Sequence, residues 1–370
     1  MQRWLRNREN GSKRKFQLGV RFNYFQLLQP PEYLGSITYS DDNKWLIGAY
    51  SDNLIEGREN ALSLWNTTHY SSRNDVKVNN RMALVHSVAS HDDLIAVGGQ
   101  HFGIPLCVHG DPGEVRIVSM HKMEEFELHK FPLPVYAVEF LEPKIMVTAC
   151  MNTCMYAYTA HAIAQLRDIR TRDDGILIAE SKKKLGIRTL NCHPSNSNLV
   201  AVGGDDVVAI FDIRKPMIPA NQLFDNDSYL HTIRWSPSGK YIATSGMNDI
   251  SIWNYQESVT KSTPDSQLDD LTFFKQCLWI DEEHVLSCNS DGVFHVWNRK
   301  TDVNMKLKPY NRHGYQRDFR LSYNRIHHHL ATSWYRESHQ YRVGIRHHIG
   351  VWSPYEIKQK SDIVSYEICK

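Results

Sequence analysis

The sequence predicts an all-β chain folded as a single β-propeller of seven blades, with six or eight also compatible with the repeat count. Three observations predict it. A unit of apolar strand, polar turn, small-residue strand and alternating strand ending on an aromatic recurs about every forty to fifty-five residues. The apolar runs alternate with period two and are rich in β-branched residues, as in Ile250, Ile252 and Trp253, or Val293, His295 and Trp297 against Phe294 and Val296. Turn dipeptides, Ser238-Gly239, Asp291-Gly292 and Pro112-Gly113, stand where hairpins must reverse.

The elements follow in chain order. Met1 to Lys15 carries Arg3, Arg6, Arg8, Lys13, Arg14 and Lys15 among few apolar residues and reads as a basic flexible tail, with nuclear import or nucleic-acid contact as its functional reading. Phe16 to Leu28, "FQLGVRFNYFQLL", can supply the outer strand that completes the last blade and leaves no open edge. Ile363 to Ile368, "IVSYEI", is an alternative closing strand, and both stay open at this point. Between them the strand cores run Ile37 to Trp65, Val85 to Ser119, Val135 to Tyr158, Ile187 to Phe211, Tyr229 to Trp253, Phe273 to Trp297 and Phe319 to Trp352. Uneven spacing marks insertions, including Ser51 to Asn60 and Tyr335 to Arg346, expected as surface loops. Small residues such as Ala243, Thr244, Ser245 and Gly246 suit crowded strands near a central channel. One unit alone cannot bury both faces of its sheet, so the units must fold together.

These repeats resemble those of WD40 proteins over roughly residues 30 to 355. Three copies end in near versions of the Trp-Asp dipeptide, Trp65-Asn66, Trp253-Asn254 and Trp297-Asn298, and the fourth ends Phe211-Asp212. The early Gly-His dipeptide is missing throughout, and no copy carries the full Asp-His-Ser/Thr-Trp hydrogen-bond set, so the repeats are degenerate.

The fourth copy, "NLVAVGGDDVVAIFDIRK", ends in aromatic-Asp-x-Arg. This is similar to the motif of WD40 substrate receptors that dock onto DDB1, the adaptor of cullin-4 ubiquitin ligases. The resemblance implies an adaptor-binding set of Phe211, Asp212, Arg214 and Lys215, with Arg214 projecting from the rim; Phe211 departs from the usual Trp, and one copy of the motif is read where two would be stronger. Arginine suits the place because its planar guanidinium presents several donors at once. The competing structural reading is that Arg214 merely pairs with Asp212.

A second reading is a chromatin- or nucleic-acid-associated propeller with a basic face, suggested by "SKKKLGIR". Its candidates are Lys182, Lys183, Lys184, Arg188, His231, Arg234 and Lys275, with Arg188, His231 and Lys275 expected near the channel mouth. Tyr315, Arg317 and Arg320 in "HGYQRDFR" add the composition of a binding hot spot.

Composition excludes several classes. A formal charge of +2 spread over 370 residues is not that of a strongly basic nucleic-acid binder. No apolar stretch suffices to span a bilayer, and the opening "MQRWLRNREN" lacks a secretory leader's apolar core. The seven cysteines follow no framework spacing, so reduced thiols in a nuclear or cytoplasmic chain are expected. His327, His328 and His329 are consecutive and should not converge on one ion, so no metal is expected. Phosphate-loop, nucleotide-fold, nucleophile-elbow and zinc-protease motifs are all missing, so neither enzyme nor cofactor is expected, and the acidic pairs read as turn residues. The sequence points to a non-enzymatic scaffold, monomeric within a larger complex, whose partners are proteins.

Overall fold

A twisted sheet with apolar residues on both faces is stable only when neighbours cover both, and radial stacking achieves this without a separate core layer. The structure, a computed structural model, does so with seven four-stranded antiparallel sheets. It describes residues 20–356 except 29–33, 52–60, 71–72, 78–81, 83, 101–111, 152–161, 172, 182–186, 205–206, 225–229, 247–248, 258, 263–273, 290–292, 308–315 and 337–345. Among the described residues no helix is long and apolar enough to cross a membrane.

Strand β1 (Val20–Leu28) comes first in the chain but belongs to the last blade. Blade one is β2 (Leu34–Tyr39), β3 (Trp45–Tyr50), β4 (Ala61–Asn66) and β5 (Arg73–Lys77); blade two is β6 (Leu84–His91), β7 (Leu94–Gln100), β8 (Gly113–Ser119) and β9 (Glu124–Phe131). Blade three is β10 (Val135–Glu142), β11 (Ile145–Met151), β12 (Ala162–Asp168) and β13 (Ile176–Ser181), and blade four is β14 (Ile187–Cys192), β15 (Leu199–Gly204), β16 (Val207–Asp212) and β17 (Pro219–Phe224). Blade five is β18 (Thr232–Trp235), β19 (Tyr241–Ser245), β20 (Ile250–Asn254) and β21 (Val259–Ser262). Blade six is β22 (Phe274–Trp279), β23 (His284–Asn289), β24 (Phe294–Asn298) and β25 (Val303–Leu307). Blade seven is β26 (Gln316–Asn324), β27 (His329–Arg336) and β28 (Arg346–Glu356), completed by β1, which pairs antiparallel with β28 from Val20↔Glu356 to Leu28↔Ile349. The closing strand is therefore the N-terminal candidate; Ile363 to Ile368 lies outside the described residues, as does the basic tail.

Two boundaries differ from the sequence reading. The third copy does not end at Tyr158: its third strand is Ala162–Asp168, registered against β11 from Met151↔Ala162 to Ile145↔Asp168. The aromatic that closes other copies is replaced here by Leu166 and Arg167, so the aromatic rule stopped too early. Tyr335 and Arg346 belong to β27 and β28, where Tyr335 pairs with His347 and Arg346 with Arg336, so His347 and His348 are strand residues.

The core is divided among the seams. Each of seven hydrophobic clusters joins two adjacent blades, for example Leu62, Leu64 and Val76 of blade one with Val85, Val97 and Val118 of blade two. Backbones approach closely there: a Cβ on Gly35 would stand 2.3 Å from the Val85 carbonyl oxygen. Blades seven and one are additionally joined by the Tyr39 hydroxyl to the Tyr70 hydroxyl at 3.1 Å, and the latter to His329 Nδ1 at 3.0 Å.

Trp-Thr bonding survives in one described blade. Trp253 Nε1 donates to Thr244 Oγ1 at 3.1 Å, while in blade six the equivalent Ser287 donates to the Gln276 carbonyl, and Trp297 Nε1 has no partner among the described residues. Three of the four described cysteines, Cys150, Cys277 and Cys288, are buried, and all four are unpaired.

Candidate functional site

The innermost strand of every blade has one edge facing the axis, whose backbone N–H groups need partners. The pairing registers make Ile37, Val88, Val138, Leu190, Ile233, Cys277 and Leu321 equivalent. Alternation turns these into the seams and their flanking residues inward, so two rings of seven side chains line a channel of about 510 Å³. The wall is mostly polar because it caps edges. Ser87 Oγ accepts from Val138 N–H, Thr189 Oγ1 from Ile233 N–H, Gln276 Oε1 from Leu321 N–H, and Ser322 Oγ from Tyr39 N–H across the closing seam.

A carboxylate–arginine pair stands in this wall. Glu139 accepts from Asn191 Nδ2 at 2.8 and 2.7 Å, Cys192 N–H at 2.9 Å and Arg234 Nη1 at 3.1 Å. Burial lifts its carboxyl above the ordinary carboxylate value, against the opposing pull of Arg234. Arg234, expected on an open basic face, is therefore an internal clamp between blades three and five. It also donates to the carbonyls of Leu190 and Ile233.

A register shift recurs at the start of the innermost strand in six of the seven blades, between Leu34/Ser36, Val85/Ser87, Val135/Ala137, Ile187/Thr189, Phe274/Gln276 and Arg317/Arg320. Such a bulge re-aims the extra residue. His86, Tyr136 and Arg188 take that place and line the channel mouth, the first two rings stacked at 4.4 Å. His231 and Arg320 also line the channel, Arg320 Nε donating to the Gly35 carbonyl. Lys275 and Arg317 stand on β22 and β26 with side chains outside the described set; Lys182, Lys183, Lys184 and Tyr315 lie outside the described residues.

The second region is on the face where first strands turn into second and third into fourth. At the end of the third strand an Asn or Asp accepts the N–H two residues on: Asn66 from Thr68, Asp168 from Arg170, Asp212 from Arg214, Asn254 from Gln256 and Asn298 from Lys300. This is an Asx turn, and it explains why Asn replaces Asp in three copies at no structural cost. In blades three and four the residue is Asp and the donor is Arg, and each guanidinium folds onto its aspartate. Arg214 Nε is 2.9 Å from Asp212 Oδ1 and Nη2 2.6 Å from Oδ2; Arg170 Nε is 2.8 Å from Asp168 Oδ1, with Nη2 on Oδ2. These bonds to arginine hold both carboxyls down at about 2.

The sequence reading counted one such unit. Asp168-Ile169-Arg170 is a second, missed because the third strand was ended at Tyr158; the repeated "DIR" in "LRDIR" and "FDIR" was the available signal. Both arginines are exposed, Arg170 by 60% and Arg214 by 67%. Phe211 is buried in the seam between blades three and four. The histidine reading also changes: His327 and His328 lie in the turn before β27, His328 has a left-handed φ of 56°, and the rings of His327 and His329 stand 5.8 Å apart, yet no metal-holding cluster occurs among the described residues.

No family model matches the chain, and no curated protein matches it in sequence. Among solved structures it is similar to the Cps50 (Swd1) β-propeller domain of Myceliophteria thermophila, with a TM-score of 0.65 and 11% identity over 90% of this chain and 99% of that one. A likeness at that identity is one of fold. The chain is a seven-bladed β-propeller whose N-terminal strand closes the ring.

Proposed function

We propose that this propeller is a protein-interaction scaffold serving as substrate receptor of a DDB1-cullin-4 ubiquitin ligase, docked through the turn face of blades three and four. One observation carries the reading: Asp168-Ile169-Arg170 and Asp212-Ile213-Arg214 occupy the same place on adjacent blades with the same forked geometry. A lone Asp-x-Arg is a common turn, whereas two in register on neighbouring blades make one extended patch. The reading is non-enzymatic and assigns the channel a structural part, since its hydroxyls and amides cap blade edges.

The nucleic-acid alternative loses a residue it needs, because Arg234 holds Glu139 inside the channel. The test is co-purification of DDB1 with the full chain. Loss of DDB1 from the Arg170→Glu/Arg214→Glu variant supports the reading, and undiminished recovery overturns it.

A further inference from the structure

Among the described residues seven large hydrophobic side chains are exposed, and three of them belong to the outer elements of blades three and four: Met217 (46%) and Ile218 (69%) in the turn that follows Arg214, and Ile176 (55%), paired with Leu166 at the end of the strand that leads into Arg170. Ile176 opens β13, two residues before Ile178, and Met217 N–H donates to the Ile178 carbonyl at 2.8 Å. The turn carrying Met217 and Ile218 is held stiff. Pro216 and Pro219 flank it, Lys215 N–H donates to the Asp212 carbonyl, and Met217 has a φ of 67°, a left-handed conformation costly for an unbranched apolar residue. A strained backbone that shows two apolar side chains to solvent is retained more readily where something covers them.

The charges beside the ridge limit what can cover it. Each guanidinium already commits Nε and Nη2 to its own aspartate, so each Asp-Arg unit is internally neutralised and presents its remaining Nη1 donors outward. Such donors suit backbone carbonyls, while a strongly acidic surface would meet the buffering aspartates. The complementary surface is an apolar pocket rimmed by carbonyls.

We infer that Met217 and Ile218, supported by Ile176, are the apolar anchor of the adaptor interface, with Arg170 and Arg214 as its polar rim. This rests on the adaptor reading above. Hot spots have this layout, an apolar centre that is desolvated inside a ring of polar contacts. Binding is then driven by burial of the ridge and is only weakly sensitive to salt.

The experiment is the dissociation constant of the full chain with purified DDB1 at 50 and 500 mM sodium chloride, for the parent, Met217→Asn/Ile218→Ser, Ile218→Ser alone, and Arg170→Glu/Arg214→Glu. Asparagine keeps the left-handed backbone accessible, and thermal melts of each variant check the fold. The expected result is a change of less than about threefold for the parent across that salt range, at least tenfold weakening in the double ridge variant, and an intermediate loss in Ile218→Ser. If the parent binds and the arginine variant does not, while the ridge variant stays within twofold of the parent, the anchor is overturned and the adaptor reading stands. If the parent does not bind DDB1, both fall. Light scattering is run alongside: a parent dimer that the ridge variant dissolves makes a second copy of this chain the occupant and overturns the anchor's assignment to the adaptor.

Discussion

The backbone N–H of Met217 donates to the carbonyl of Ile178 at 2.8 Å, tying the outer turn of the fourth blade to the outer strand of the third. The bond is available because Met217 lies in the left-handed region, which reverses the chain after Pro216. Met217→Pro removes the donor and forces φ negative, and should lower stability by about 3 kcal/mol. Met217→Asn should leave stability within about 0.5 kcal/mol or raise it, because asparagine tolerates this conformation better. Urea unfolding of both variants checks the contrast.

Thr244 supplies the acceptor for Trp253 Nε1 and itself donates to the Ser251 carbonyl. Thr244→Val keeps the shape and strands a buried indole N–H, so the expected loss is about 1–3 kcal/mol. In blade six, Ser287→Ala leaves Trp297 as it was and removes only the hydroxyl bond to the Gln276 carbonyl. Parallel denaturant titrations should therefore show the larger shift for Thr244→Val.

His193 is held as a neutral ring. Nδ1 accepts from Ser195 N–H at 3.2 Å and Asn196 N–H at 3.0 Å, so the proton sits on Nε2, which donates to the Gly239 carbonyl at 3.1 Å. Burial lowers its pKa below 6.5, as it does for His86, His129, His328 and His329. Below 6.5 the unfolded chain binds protons that the folded one refuses, so this stability is complete above that pH and is lost as pH falls from there through the folded pKa values. The melting temperature should drop between pH 7.5 and pH 5.5. His193→Asn, which keeps an oxygen acceptor for the turn but cannot titrate, should drop less; an equal drop would remove His193 from the account.

Pairing between β1 and β28 closes the ring through eight residues of the nine-residue first strand, with a register shift at Phe25. Deleting residues 1–28 exposes the long edge of β28, and an open edge of that length seeks another chain. Size-exclusion chromatography should show soluble aggregate or higher oligomers in place of the parent species.

The two Asp-Ile-Arg units show how legibility failed. Arg214 was visible because Phe211 closes its strand as an aromatic should, whereas Arg170 follows a strand closed by Leu166 and Arg167, and a period-two pattern alone does not say where a strand stops. Arg234 reads from the sequence as part of an open basic face. Its pairing with Glu139, 95 positions earlier, depends on which side chains the ring turns inward.

What the sequence determined by itself is local: strand alternation, turn residues and recurrence give seven sheets, because each pattern is written within the few residues that form it. What only the tertiary structure decided is relational. Either end of the chain could have completed the last blade, since both segments alternate, and the choice of β1 depends on the edge of β28 being within reach of residue 20 to 28 once the ring has formed. The same holds for the turn face, where two short motifs forty-four positions apart become one surface because blades three and four share a seam. Period and propensity act through neighbours in sequence, while edges, seams and rims exist only between neighbours in space.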